Sequence, residues 1–513
     1  MKNEQRIEEL FRVWQENPGA GGQLVVSYQG ERLERCYGYQ NIETQTPMTQ
    51  QSVFHLASMS KQFTALCIYM LFEQGKLDLE DDIRKYLPDL VQVPQTITIN
   101  HLLHHTSGLP DHYGFLFLSG RSKADTVTME EIVRLNSRID KLNFEPGEKY
   151  AYSNPNYCFL AVIVERLSGM SLPEFCRRNI FEPLGMTHTF IRHDPEAIIP
   201  NRASSYMDDG YHYRNAILNL CMYGSTAVHS IASDIDIYLR QYTNPTLIRP
   251  ETMRDYMLKP GALNDGTPII YAGGVFVEEL GGHRIIHHGG VNAGFRTMGL
   301  CMPDDELYVT LLSNTHNLGI ELTARDVARV LLDIPLATDR LADYKADSVD
   351  LAELDGFYYN ENSFEGYPIT VRDGVIYTGN VPLRPLGGNL FKQGRQDITF
   401  AFGEQSAVCH YGGVSPLVRH TEVLDAQQAQ EYVGEYFCRT YESYWKVLWE
   451  EDQLWLYHLR HGRLPLYMVG QDAFFYDTVR YDFCRNEEGR VIGVNRSTTR
   501  QKYMMLDKIG ASV

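Results

Sequence analysis

Ser58-Met59-Ser60-Lys61-Gln62-Phe63-Thr64-Ala65-Leu66-Cys67-Ile68-Tyr69-Met70-Leu71-Phe72 is the stretch that decides the fold. From Met59 to Phe72 it is apolar nearly all round, which marks a buried helix. Gly75 follows as a stop signal, because glycine enters the left-handed region at little cost. Ser58 then falls at the helix N-terminus, where free N–H groups and the dipole favour negative charge. Lys61 is three residues on and shares that face, with Cβ atoms roughly 5–6 Å apart. A serine hydroxyl attacks only once a neighbour takes its proton. A desolvated lysine can do so, because burial disfavours its charged form.

Ser-x-x-Lys is a loose pattern, and Ser443-Tyr444-Trp445-Lys446 repeats it. That copy lies in an alternating aromatic stretch that reads as a strand, and is taken as an accident of composition. Partners distinguish the first copy. Tyr152-Ser153-Asn154 follows the turn signal Phe144-Glu145-Pro146-Gly147 in a loop-like, polar and aromatic string. Tyr-x-Asn also occurs at Tyr213, Tyr242 and Tyr358, so context carries the choice. A third element is His287-His288-Gly289-Gly290, after the apolar run Arg284-Ile285-Ile286. It reads as a strand whose glycines allow close approach of a ligand or another backbone.

In this order the three motifs resemble the penicillin-recognising serine hydrolases, above all their class C β-lactamase-like branch. The segment Asn100 to His112, the strings Gly185-Met186-Thr187 and Gly224-Ser225-Thr226-Ala227, and Gly294-Phe295-Arg296 extend the likeness over roughly residues 15–335. The resemblance implies an α/β (α+β) catalytic domain with helices on an antiparallel sheet. It implies Ser58 as the nucleophile that forms an acyl-enzyme. Lys61 and Tyr152 match the pair that activates it, with Lys61 stabilising a phenolate whose ordinary pKa is about 10. Asn154, His288 and Gly290 match substrate-binding positions, and the backbone N–H groups of Ser58 and Val291 the oxyanion hole. His288 stands where β-lactamases carry a lysine, although His287-x-Gly289 fits the pattern as well. A largely neutral histidine there argues against efficient β-lactamase activity. Neutral amides, esters or peptides are expected instead.

The chain has 513 residues and a net charge of −18, which makes nucleic acid and anionic membranes poor partners. The N-terminus lacks the apolar core of a signal peptide, and no apolar run is long enough to span a membrane. Nine cysteines without CxxC pairs read as free thiols in a reducing compartment, so a cytoplasmic enzyme is expected. His101, His104, His105 and His112 lack the spacing of a metal site, and no metal or cofactor is expected. The oligomeric state stays open, a homodimer included. No GxSxG, Walker loop or dinucleotide fingerprint occurs.

Residues 1–338 are therefore read as the catalytic domain. A charged connector, Asp339 to Asp350, leads to short aromatic and β-branched strands broken by turns. Leu354-Asp355-Gly356-Phe357-Tyr358 recurs as Tyr432-Val433-Gly434-Glu435-Tyr436 at an offset of 78 residues, and Ile376-Tyr377 falls on Leu454-Trp455. Two small antiparallel β-barrels are expected, over residues 351–424 and 425–513. This arrangement resembles the D-aminopeptidase branch of the family. There a loop of the last barrel helps to read the substrate's ammonium, whereas Asp477-Thr478-Val479 is a short turn here. Two classes of function follow. One is an acyl-transfer hydrolase of D-amino-acid amides, short peptides or esters, and the other a binding protein on an inactive fold of this type.

Overall fold

The computed structural model describes residues 1–16, 19–336, 350–394, 398–410 and 414–510. The expected connector lies outside these residues except for Asp350. Two compact units are distinguished.

The first unit contains Met1–Leu109 and the chain from Lys123 through the helix Ile320–Leu331. Its centre is a six-stranded antiparallel sheet of β1 (Gly22–Tyr28), β2 (Glu31–Tyr37), β3 (Phe276–Leu280), β4 (His283–Asn292), β5 (Phe295–Met302) and β6 (Leu307–Ser313), in the order β3-β4-β5-β6-β1-β2. The first hairpin thus closes beside the last strand, with Gly22 opposite Ser313 and Tyr28 opposite Leu307. β6 is buried at every residue, as a strand covered on both faces must be. On one face Ile7, Phe11 and Trp14 join Val327 and Leu331 over Leu24, Val26, Leu300 and Val309. Burying each such side chain contributes about 1.5–3 kcal/mol.

Four helices matter below. They are α1 (Lys61–Glu73), α2 (Asn154–Ser168), α3 (Ala232–Leu239) and α4 (Ile320–Leu331). A 3-10 turn, Ala57–Ser60, leads into α1, which is buried at every residue from Lys61 to Leu71. α1 packs along α2, and α3 lies on β1, β5 and β6.

The second unit contains two closed barrels of eight antiparallel strands each, from Gly356–Asn360 to Val414–His420 and from Gly434–Cys438 to Gln501–Lys508. Closure leaves no open sheet edge. The repeat read from the sequence is structural. Gly356 and Gly434 open the first strands at φ +156° and +153°, a region that L side chains rarely adopt. The buried Tyr358 donates its hydroxyl to Leu354 O at 3.2 Å, and Tyr436 repeats the bond to Tyr432 O at 2.6 Å. Ile376 and Leu454 both lie in the third strand of their barrels. Asp477-Thr478 is a two-residue turn between Tyr476 and Val479.

Pro110–Ser122 falls within the limits expected for the catalytic part but groups with the second unit. Its helix His112–Leu118 turns aromatic side chains to the second barrel. Phe115 stacks on Tyr441 at 4.9 Å, and Phe117 on Trp445 and His461 at 5.2 and 4.4 Å. Trp445 Nε1 donates to Leu118 O at 3.3 Å, and Asp111 N–H donates to Arg500 O at 3.2 Å.

Candidate active site

Ser58 is presented by a strained and well-braced turn. Ala57, just before it, has φ +51°, a left-handed conformation that costs a non-glycine residue about 1–3 kcal/mol. The surroundings fix it. Ala57 N–H donates to His55 Nδ1 at 3.0 Å, and Leu56 N–H to Val228 O at 2.8 Å. Leu56 O accepts from Thr297 Oγ at 2.8 Å, and Ser60 Oγ accepts from Val228 N–H at 3.1 Å. β4 passes directly over this turn. A Cβ on Gly290 would stand 2.1 Å from Leu56 O, so only glycine fits there.

Lys61, fully buried, sits at the first position of α1. Its Nζ lies 2.8 Å from Asn154 Oδ1, 2.9 Å from Ser225 O and 3.3 Å from Ser58 Oγ. The first two oxygens can only accept, so they anchor two N–H bonds of the amine. The contact to Ser58 then depends on protonation. A neutral amine presents its lone pair to the serine hydroxyl, and an ammonium presents a third N–H. Asn154 reaches this point because it opens α2, with Pro155 next to it.

Tyr152 comes from the loop before α2. Its ring centroid is 4.7 Å from Lys61 Nζ, 6.3 Å from the His288 ring and 4.2 Å from the His105 ring.

Strand alternation sends the two third-motif histidines to opposite faces of the sheet. His288 faces Lys61 and Tyr152 and is 3 % exposed. Its Nδ1 lies 2.6 Å from Gly289 O and its Nε2 3.1 Å from the Tyr271 hydroxyl. Burial, and next the nearby Lys61, push its pKa down to about 3. His287 turns the other way. Its Nε2 is 2.6 Å from Glu278 Oε1, a carboxylate that Arg325 also binds. The hydrogen bond from His287, followed by the effects of Arg325, brings Glu278 down to about 2.

Ser58, Lys61, Tyr152, Asn154, His288 and Gly290 thus come together around one turn. Val291 follows Gly290 on β4 and is 63 % exposed. The second Ser-x-x-Lys does not form a site. In the strand Ser443–Glu450, Ser443 is buried against Trp445 Nε1, while Lys446 pairs with Glu435. The four histidines of the Asn100 to His112 segment disperse. His101 caps the helix Ile99–Leu103 with Thr98, His104 bonds Asn100 O, His105 turns to Tyr152, and His112 lies in the second unit. Two residues beside Tyr152 and His288 were given no role at this site from sequence, His105 and Tyr271. The first lies within a segment quoted for its family likeness, and the second carries no local signal.

The β-lactamase family model matches residues 10–333. The chain belongs to the β-lactamase family. Penicillin-binding protein 4* of Bacillus subtilis is 32% identical to this β-lactamase-family chain over 379 residues, 69% of this chain and 82% of that protein. The D-aminopeptidase of Gluconobacter oxydans is 27% identical over 63% of this chain, which spans 61% of that relative's length. Among solved structures, the D-amino acid amidase of Ochrobactrum anthropi SV3 aligns over 64% of this chain and 99% of its own, with a TM-score of 0.55 and 21% identity. The octameric penicillin-binding protein homologue of Pyrococcus abyssi covers 81% of this chain and 99% of its own, with a TM-score of 0.59 and 21% identity. At these identities the structural matches speak to the fold.

Proposed function

We propose that the chain is a serine hydrolase that works through an acyl-enzyme on Ser58 and acts on D-amino-acid amides, short peptides or esters. The observation that carries the reading is Lys61 Nζ. It is anchored by Asn154 and Ser225, directed at Ser58 Oγ, and held beside the Tyr152 ring. Ser58 Oγ attacks the substrate carbonyl and gives its proton to the Lys61–Tyr152 pair. The same pair returns a proton to the departing amine or alcohol. Water then repeats the cycle on the ester of Ser58, releasing the acid.

The negative charge on the tetrahedral oxygen is assigned to the N–H groups of Ser58 and Val291. Strand geometry supports the second donor. Asn292 and Phe295 close a two-residue hairpin, so they form a hydrogen-bonded pair. Alternation then pairs Gly290 with Thr297 and turns the Val291 N–H away from β5, to the open side of β4.

The substrate class rests on the D-aminopeptidase and D-amino acid amidase relatives and on His288, a neutral ring where a fixed cation would attract a carboxylate. A reducing, cytoplasmic setting is supported by nine free cysteines. Among the described residues no helix is long and apolar enough to cross a membrane.

The test is kcat/KM for a panel of D- and L-amino-acid p-nitroanilides, amides and short-chain p-nitrophenyl esters, with fluorophosphonate labelling alongside. Labelling at Ser58 and a preference for D-amino-acid derivatives are expected. Equal turnover of both enantiomers with fast ester cleavage would move the assignment to an esterase. No labelling and no turnover would make the protein a binding module.

A further inference from the structure

We propose that His105 is the positioning residue that holds Tyr152 in register with Lys61 and Ser58; this rests on Tyr152 being the proton carrier of the reaction proposed above. His105 brackets Tyr152 from both sides along the chain. Its backbone oxygen accepts the N–H of Ala151 at 3.0 Å, and its ring Nδ1 accepts the N–H of Ser153 at 3.1 Å. The ring itself lies 4.2 Å from the Tyr152 ring, tilted by 35°. One residue therefore fixes the peptide before Tyr152, the peptide after it, and the aromatic plane between them.

The arrangement needs one state of the imidazole. Nδ1 also accepts from Asn156 Nδ2 at 2.9 Å, so it carries no proton, and the neutral ring holds its proton on Nε2. Asn156 is fixed in turn, because its Oδ1 accepts from Ser107 Oγ at 2.6 Å. The neighbours of His105 extend the same clamp, as Thr106 O takes Gly147 N–H at 2.7 Å and Gly108 O takes Asn143 N–H at 2.8 Å. His105 is fully buried and has φ +58°, a conformation that His tolerates better than most side chains but that still costs free energy. Strain of this kind persists only where the surroundings over-determine it. Here they determine the loop that carries Tyr152.

A histidine that merely filled the core would give a loss of stability independent of Tyr152. A positioning residue acts through Tyr152, and a double-mutant cycle separates the two cases. His105→Phe keeps the ring and removes the acceptor. It should lower kcat by about 10- to 100-fold with KM within about twofold, the scale of a misplaced proton carrier. His105→Asn keeps an acceptor and tolerates positive φ, and should recover most of that loss. In a Tyr152→Phe background, neither change should alter kcat by more than about twofold. If His105→Phe does not fold, His105→Asn carries the cycle, with a kcat loss of about three- to tenfold that disappears beside Tyr152→Phe. Tyr152→Phe alone should cost about 10²–10⁴ in kcat. Losses that multiply in the double mutant, or a change in KM with kcat intact, would overturn the role of His105 alone. A near-normal kcat in Tyr152→Phe would overturn the proton carrier, and the role of His105 with it.

Discussion

The Tyr271 hydroxyl stands 3.1 Å from Nε2 of His288. Gly289 O, which can only accept, requires the imidazole proton on Nδ1. Nε2 is then the acceptor for the Tyr271 O–H, and both ring nitrogens are occupied within the protein. The His288 ring thus offers a substrate neither a cation nor a free N–H.

Substrates that rely on a carboxylate should therefore fare poorly. Two unit charges about 4 Å apart interact by roughly 4 kcal/mol at an effective dielectric of 20, so losing part of this attraction costs more than tenfold in rate. Nitrocefin should be turned over far more slowly than a neutral p-nitrophenyl ester, and the ratio of kcat/KM should stay flat between about pH 5 and 8. His288→Lys should raise the ratio in favour of nitrocefin. Equal rates for the two substrates in the wild type, or a response to His287→Lys and not to His288→Lys, would contradict the account.

Stability should fall on mild acidification. Burial, then Arg202, pushes His229 down to about 3, and His288 is held at about 3 as well. In the unfolded chain each titrates at its ordinary value of about 6.5. Below that pH the unfolded state binds protons that the native state refuses. The stabilisation is present above about pH 6.5 and is lost at about 1.4 kcal/mol per pH unit and histidine as pH falls towards 3. Urea midpoints at pH 7.5, 6 and 5 measure this. Midpoints that hold steady or rise on acidification would refute neutral burial of the pair.

Gly290 should tolerate no side chain. The Cβ of alanine would meet Leu56 O at 2.1 Å and Thr297 Oγ at 2.4 Å, and the first of these is backbone. Gly290→Ala must push β4 off the turn that carries Ser58. Labelling of Ser58 by a fluorophosphonate should slow by at least about 10²-fold, the scale for misplacing a reacting group by about 1 Å. Unchanged labelling would mean that this contact does not set the nucleophile.

Much of this was legible in the sequence. Ser58 and Lys61 declare themselves because a serine and lysine three apart at the head of an apolar helix share a face. The barrels declare themselves through Gly356 and Gly434, whose shared positive φ places the same glycine 78 residues apart. The third-motif register was not legible, because period 2 pairs His287 with Gly289 as readily as His288 with Gly290; only the fold turns His288 to Tyr152 and His287 to Glu278. Tyr271 was not legible, because it sits in no distinctive local pattern. His105 stands in the quoted Asn100 to His112 segment, but its role was not legible because it arises from contact with Tyr152, far along the chain. Pro110–Ser122 was assigned with its sequence neighbours for a similar reason. Phe115, Phe117 and Leu118 announce an apolar helix but not the surface that covers it.

That segment gives a further prediction. Residues 351–513 expressed alone should give a β-rich circular dichroism spectrum, with Tyr441, Trp445 and His461 stripped of the aromatic side chains that cover them. A synthetic peptide of residues 110–122 should raise the Tm of this fragment, because anything that binds only the folded state stabilises it. An unfolded fragment would contradict the boundary, and a Tm that ignores the peptide would contradict the docking of Pro110–Ser122.

The central claim is that Ser58 carries the acyl group. The protein is mixed with a slow acylating substrate, quenched in acid, digested and read by mass spectrometry, with Ser58→Ala in parallel. An adduct is expected on the peptide that contains Ser58, with loss of both adduct and turnover in Ser58→Ala and the fold intact. An adduct on Ser443, or turnover that survives in Ser58→Ala, would contradict it.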